Sequence, residues 1–288
     1  MDFRNGRESR NVEDRRGQGG RGYRGRGRIG IATIVLALVA MYFGIDPSVV
    51  LDTTSMVGGP QTESSLSAQP RSAAEDELAR FASMVLADTE DTWGPIFSAG
   101  GRQYREPQLV LFTGATRSAC GVGQAEMGPF YCPADSKVYL DLSFFDELHH
   151  RFGAPGDFAQ AYVIAHEIGH HVQNLLGLSD KVRQARQRAP EHEANQLSVR
   201  LELQADCLAG VWAHHAHRLR QVLEEGDVEE GLAAATAIGD DRIQKQAQGY
   251  AVPDSFTHGS AAQRVRWFRN GLERGNLTAC DTFSAAAL

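Results

Sequence analysis

The chain has 288 residues, 42% hydrophobic and 23% charged, an ordinary globular composition that excludes disorder throughout. Four cysteines are too few for a scaffold built on disulfides. The net charge of −7 is uneven: residues 1–28 hold nine Arg and four acids, a net of +5, so the remainder carries −12, which argues against nucleic acid as the main partner of the folded part.

Residues 1–28 are rich in Arg and Gly and offer almost nothing apolar to bury, so they read as a disordered basic tail. An RNA-binding Arg/Gly tail is one reading. A cytoplasmic basic flank that can meet anionic lipid is favoured, because an apolar run lies directly behind it. Ile29–Ile45 is that run, 17 residues without a charge, extendable to Leu51. With polar linker residues 52–72 after it and no good cleavage site, it reads as an uncleaved single-pass anchor over 29–51. The upstream arginines then place the N-terminus in the cytoplasm and residues 73–288 periplasmic or extracellular, beyond the cytoplasmic membrane.

From Ala73 the pattern becomes globular. Leu78, Phe81, Val85 and Leu86 predict a helix ending before Gly94-Pro95. Gln108–Thr113 predicts a strand, 120–136 a Gly/Pro-rich loop, Lys137–Leu142 a second strand, and Phe144–Phe152 a short helix. Asp157–Leu176 is a helix with Asp157 as its N-cap and Gly177 as its stop. Further helices are predicted from Pro190 to Val222 or Leu223, over Ala233–Gln248, and around Gln263–Phe268. The fold class is helix-rich α+β with a small sheet, preceded by one transmembrane helix.

His166-Glu167-Ile168-Gly169-His170 is an H-E-x-x-H motif in the middle of a helix. Residues four apart share a helix face, so the two imidazoles can take two corners of a tetrahedral zinc site. Glu167 falls about 100° around the helix, beside the metal, where a general base for metal-activated water is needed. An H-E-x-x-H-x-x-G-x-x-H extension fails, because Gln173 and Leu176 stand at the Gly and third His positions. Glu202 and Asp206, in an otherwise apolar stretch, share a face of the next long helix. Glu202 can supply a third ligand, and Asp206 can accept the free ring N–H of a ligating His, a solvated acidic face being the alternative. His258 or nearby Tyr250 can donate to the oxyanion of the tetrahedral intermediate, a capping or surface role for His258 being the alternative. His171 projects elsewhere, His192 starts a helix, and His214, His215 and His217 read as a polar last helical turn.

These motifs, with Gly128-Pro129-Phe130-Tyr131-Cys132-Pro133, Val138-Tyr139-Leu140-Asp141, Glu202-Leu203-Gln204-Ala205-Asp206-Cys207 and Phe256-Thr257-His258-Gly259-Ser260, resemble the bacterial neutral zinc metallopeptidases of the zincin type. The resemblance spans about residues 80–281. It implies a membrane-anchored zincin-like domain with one zinc on His166, His170 and Glu202, acting on a peptide or protein. Zincins generally bind substrate as an added strand on a sheet edge, here expected at Val138, Tyr139 and Leu140, an ordinary internal strand being the alternative. Exported cysteines are expected to pair as Cys120–Cys132 and Cys207–Cys280, with a zinc knuckle as the alternative for the first pair. The expected function is a metallopeptidase, an endopeptidase. A non-catalytic zinc-stabilised scaffold or chaperone is the alternative, against which the retained Glu167 argues.

Overall fold

Strand β1, Val12–Asp14, lies within the segment expected as a disordered tail, and it pairs in parallel with β2, Gln108–Phe112. The computed structural model describes residues 1–3, 6–17 and 72–288, which fall in one compact unit. The N-terminal segment is attached by polar contacts that its composition conceals. Glu90, a 4%-exposed acid on helix α1 (Ala73–Ala99), accepts from Ser9 Oγ at 2.6 Å, Asn11 Nδ2 at 2.8 Å and Arg7 Nη2 at 2.7 Å. Arg16, also buried, donates to Asp14, to Asp76 and to the Glu75 carbonyl. Buried charges persist only when matched in this way.

This pairing corrects the expected topology. The anchor read over 29–51 lies outside the described residues, and no helix among the described residues is long and apolar enough to cross a membrane. A single pass would put the chain before and after it on opposite faces. Yet β1 and α1, from either side of that run, belong to one folded unit, joined by Arg16 to the first turn of α1. That joining overturns the expectation of a transmembrane element in the fold, with the N-terminus inside and the domain outside. The chain holds two disulfides, Cys120–Cys132 and Cys207–Cys280, as expected, and they point to an oxidising compartment.

Glu13 on β1 accepts from Arg15 and Lys137, both at 2.8 Å, and these partners pull its carboxyl down from 4.5 to about 2, against burial. A depressed carboxylate stabilises the fold above its unfolded pKa and loses that contribution as pH falls through the folded one. Glu13→Gln is thus expected to cost at most about 1 kcal/mol near neutrality, because the pair is partly exposed. In acid unfolding the difference from the parent should shrink below pH 4.5 and vanish near pH 2; a constant difference would contradict it.

The sheet runs β1-β2-β6-β5, with β6 Lys137–Asp141 parallel to β2 and β5 Phe130–Cys132 antiparallel to β6. Strand β6 is thus internal. The expected substrate edge of Val138, Tyr139 and Leu140 is corrected: Val138 and Tyr139 pair with β2 on one side and β5 on the other, Leu140 pairs with Leu111 of β2, all three are buried, and the edge on that side among the described residues is β5. A hairpin of β3 Ala115–Ser118 and β4 Gly121–Gln124 occupies the region read as turn and loop, where alternating apolar residues are lacking.

Helix α1 continues through Pro95 to Ala99, its last turn anchored by buried Trp93 and Phe97. After the sheet come α2 Ser143–His150, α3 Asp157–Leu175, α4 Leu178–Arg186 and α5 Glu191–Arg220. The helix expected over 233–248 is two, α6 Asp227–Ala237 and α7 Asp240–Gln248. The break falls at Gly239, where an added Cβ would meet Ala261 N at 2.4 Å. Helix α8, Ala261–Arg274, starts with a capping box of Ser260 and Gln263. Asp157 is the first helical residue of α3 rather than its cap, and its carboxylate takes the Met1 ammonium at 2.6 Å.

The main core lies between one sheet face and the helices, with Leu109, Leu111, Val138 and Leu140 against Phe158, Tyr162, Trp212 and Phe268. The Cys207–Cys280 bond ties α5 to the C-terminal turn across a separation of 73 residues. In the chain-entropy account a loop of that length is worth about 4 kcal/mol, and the 12-residue Cys120–Cys132 separation about 3. Replacing Cys207 and Cys280 together by Ala should lower the denaturant unfolding free energy by the larger amount; an unchanged midpoint would contradict it.

Candidate metal centre

Helices α3 and α5 cross at Gly169, where an added Cβ would lie 2.9 Å from the Ala205 carbonyl oxygen. That close approach requires glycine, and it lays the His166–His170 face of α3 against the Glu202–Asp206 face of α5. His166 Nε2 lies 3.2 Å from Glu202 Oε2, and His170 Nε2 lies 3.5 Å from the same oxygen. The three ligand atoms all fall within 4.8 Å of one another.

The donor set fits a tetrahedral zinc ion. Ligand atoms about 2.1 Å from one tetrahedral centre are roughly 3.4 Å apart, close to the two measured spacings. The ring orientations fit as well. His166 Nδ1 is 2.9 Å from Asp206 Oδ1, and His170 Nδ1 is 2.9 Å from Gln173 Oε1. An acceptor on each Nδ1 keeps the proton there and leaves both Nε2 lone pairs turned toward Glu202.

The carboxylates draw positive charge to this spot. Against burial, Asp206 and Glu202 push His166 up to about 10, and Glu202 likewise raises His170. Burial alone would raise Glu202, but the two imidazoles hold it well below the usual carboxylate range. Glu167, 8% exposed, is raised by burial, with His170, His166 and the Tyr131 backbone N–H opposing. Edge strand β5 is held against α3 by the Tyr131 Oη contact with His171 Nδ1 at 2.9 Å.

One other group among the described residues has comparable spacing, Asp157, Asp227 and Glu230. The Met1 ammonium sits against two of its acids, 2.6 Å from Asp157 and 3.4 Å from Asp227.

The remaining histidines separate cleanly. His171 is buried and pushed down to about 4 by that burial. Its Nε2 donates to the Arg105 carbonyl at 2.6 Å and its Nδ1 accepts from Tyr131 Oη at 2.9 Å, which fastens β5 to α3. His214 and His215 bond the Leu272 and Gly275 carbonyls, locking α5 to α8. His192 is half-exposed, 3.7 Å from Asp254. Tyr250 is 61% exposed.

His258 is 55% exposed, with Nδ1 3.2 Å from Asp240 Oδ1. Asp240 Oδ2 also accepts the backbone N–H groups of Thr257, His258 and Gly259, which fixes this loop. The bond to Asp240, opposed by burial and aided by the charge of Glu202, raises the imidazole pKa. A groove of about 590 Å³ runs along the N-terminal half of α5 beside the loop, floored by Val199 and Phe256.

Sequence reasoning missed four partners: Tyr162, Gln173, Asp240 and Arg264. Tyr162 and Gln173 lie four residues before His166 and three after His170, so helical spacing carries the signal for both. Asp240 and Arg264 sit on other helices, and nothing local marks their partners.

A family model described as "Putative neutral zinc metallopeptidase" matches residues 1–283, the N-terminal segment included. The Escherichia coli (strain K12) protein named "Uncharacterized protein YpfJ" is 52% identical over 292 aligned residues, covering 98% of this chain and 99% of that one. "Uncharacterized protein Rv2575" of Mycobacterium tuberculosis (strain ATCC 25618 / H37Rv) is 42% identical over 268, covering 86% of each. No solved structure matches the chain.

Proposed function

This chain belongs to the neutral zinc metallopeptidase family, and we propose that it is an endopeptidase whose one zinc is held by His166, His170 and Glu202. The observation that carries the reading is the pair of imidazoles, His166 buried and His170 partly so, each turned by an acceptor on Nδ1, with buried Glu167 beside them. A zinc ion there supplies a Lewis acid that polarises a peptide carbonyl and acidifies a water.

Glu167 takes the proton from the attacking water as its oxygen bonds to the carbonyl carbon. It then delivers that proton to the leaving nitrogen as the C–N bond breaks. Burial raises the carboxyl and so makes it a better base. His258, steadied through Nδ1 by Asp240, is the donor offered to the oxyanion. The substrate backbone is accommodated along edge strand β5, next to Glu167, with the groove beside Val199 and Phe256 taking its side chains.

The test is terminal-peptide profiling of a proteome digested by the zinc-loaded chain, with a chelated sample beside it. New internal termini only in the loaded sample are expected. Zinc binding without any new terminus would favour the non-catalytic scaffold.

A further inference from the structure

Asp206 is a fully buried carboxylate with four donors on two oxygens. Oδ1 accepts from Tyr162 Oη at 2.5 Å, from His166 Nδ1 at 2.9 Å and from Arg264 Nη2 at 2.8 Å; Oδ2 accepts from Arg264 Nε at 2.9 Å. Arg264 is itself 2% exposed, with Nη1 on the Ile238 carbonyl and Nη2 3.3 Å from Tyr162 Oη.

A two-pronged guanidinium–carboxylate contact fixes the plane of the carboxylate, which a single ammonium donor does not. Once the plane is fixed, Oδ1 is held where His166 Nδ1 meets it at 2.9 Å. The phenol is ordered by the same contact: Tyr162 donates to Asp206, so its oxygen is left to accept from Arg264. The charges are matched as well. A dehydrated carboxylate alone beside a ligand imidazole would be costly, and Arg264 is the one full cation in contact with it that does not titrate. Arg264 lies one turn into α8, whose cap Ser260 directly succeeds His258-Gly259. The same helix therefore anchors the His258 loop and reaches the metal centre.

We infer that Arg264 is a positioning residue of the metal centre: its fork on Asp206 sets the orientation of His166, and with it the affinity and coordination geometry of the bound metal. The inference rests on the proposed zinc site of His166, His170 and Glu202.

Three full-length variants test it: Arg264→Lys, Arg264→Met, and Arg264→Met combined with Asp206→Asn. Each is titrated with zinc against a chromophoric chelator, and the visible spectrum of its cobalt(II)-substituted form is recorded. Arg264→Met should weaken zinc roughly 10–100-fold, as losses of groups that orient a ligand do, and shift the cobalt bands. Arg264→Lys keeps the charge without the fork and should lose about 10-fold. The double variant removes both charges and should not recover. Zinc affinity within twofold of the parent in the folded Lys and Met variants overturns the inference. So does full recovery in the double variant, which would reduce Arg264 to a balancing charge. If Arg264→Met does not fold, the other two decide. His166→Ala separates the two readings: a parent that binds no zinc overturns both. A parent that binds zinc, loses it in His166→Ala and keeps it in the Arg264 variants overturns this inference alone.

Discussion

Glu202→Ala, His166→Ala and His170→Ala are each expected to yield a folded chain with almost no zinc after dialysis. Zinc held by protein side chains is worth about 10 kcal/mol or more in total. One ligand of three therefore accounts for about 3 kcal/mol, or a loss of roughly 10²-fold or more. Glu202 faces both Nε2 atoms, at 3.2 and 3.5 Å, so its removal also takes away a negative charge that the two rings share. Elemental analysis of the three variants beside the parent is the check. Full zinc in Glu202→Ala would remove that residue from the ligand set.

Glu167→Gln is expected to keep the zinc and the fold and to lose at least ~10³ in kcat. Glutamine is nearly isosteric, so a site that is 8% exposed stays packed. Its amide cannot accept a proton at neutral pH. A general base contributes typically about 10²–10⁴-fold, and here one carboxylate serves both proton transfers. Single-turnover cleavage of a peptide found by the profiling experiment, with metal analysis of the same sample, measures it. Equal rates in variant and parent would mean that Glu167 is not the base.

The parts of this molecule that are legible in its sequence are those whose partners lie within a helical turn. Helix α3 is readable from its periodicity, and H-E-x-x-H from its spacing on that helix. Glu202 and Asp206 stand out because two acids in an apolar stretch of α5 need partners, and the structure supplies His166, His170 and Arg264. The features that local patterns misrepresent depend on distant groups. Residues 6–17 look disordered because they are polar, but their polar atoms are matched by Glu90, Asp76 and strand β2. The position of β6 in the sheet does leave a trace. Val138, Tyr139 and Leu140 are consecutive apolar residues, the pattern of a strand covered on both faces. Arg264 has no local signal, since its contact with Asp206 spans 58 residues and two helices.

The most direct measurement is zinc-edge anomalous diffraction from crystals of the zinc-loaded chain. One strong peak per chain is expected, bounded by Nε2 of His166, Nε2 of His170 and the Glu202 carboxylate, with the Glu167 carboxylate alongside. A peak at Asp157, Asp227 and Glu230 instead, or no peak between the two imidazoles, would contradict it.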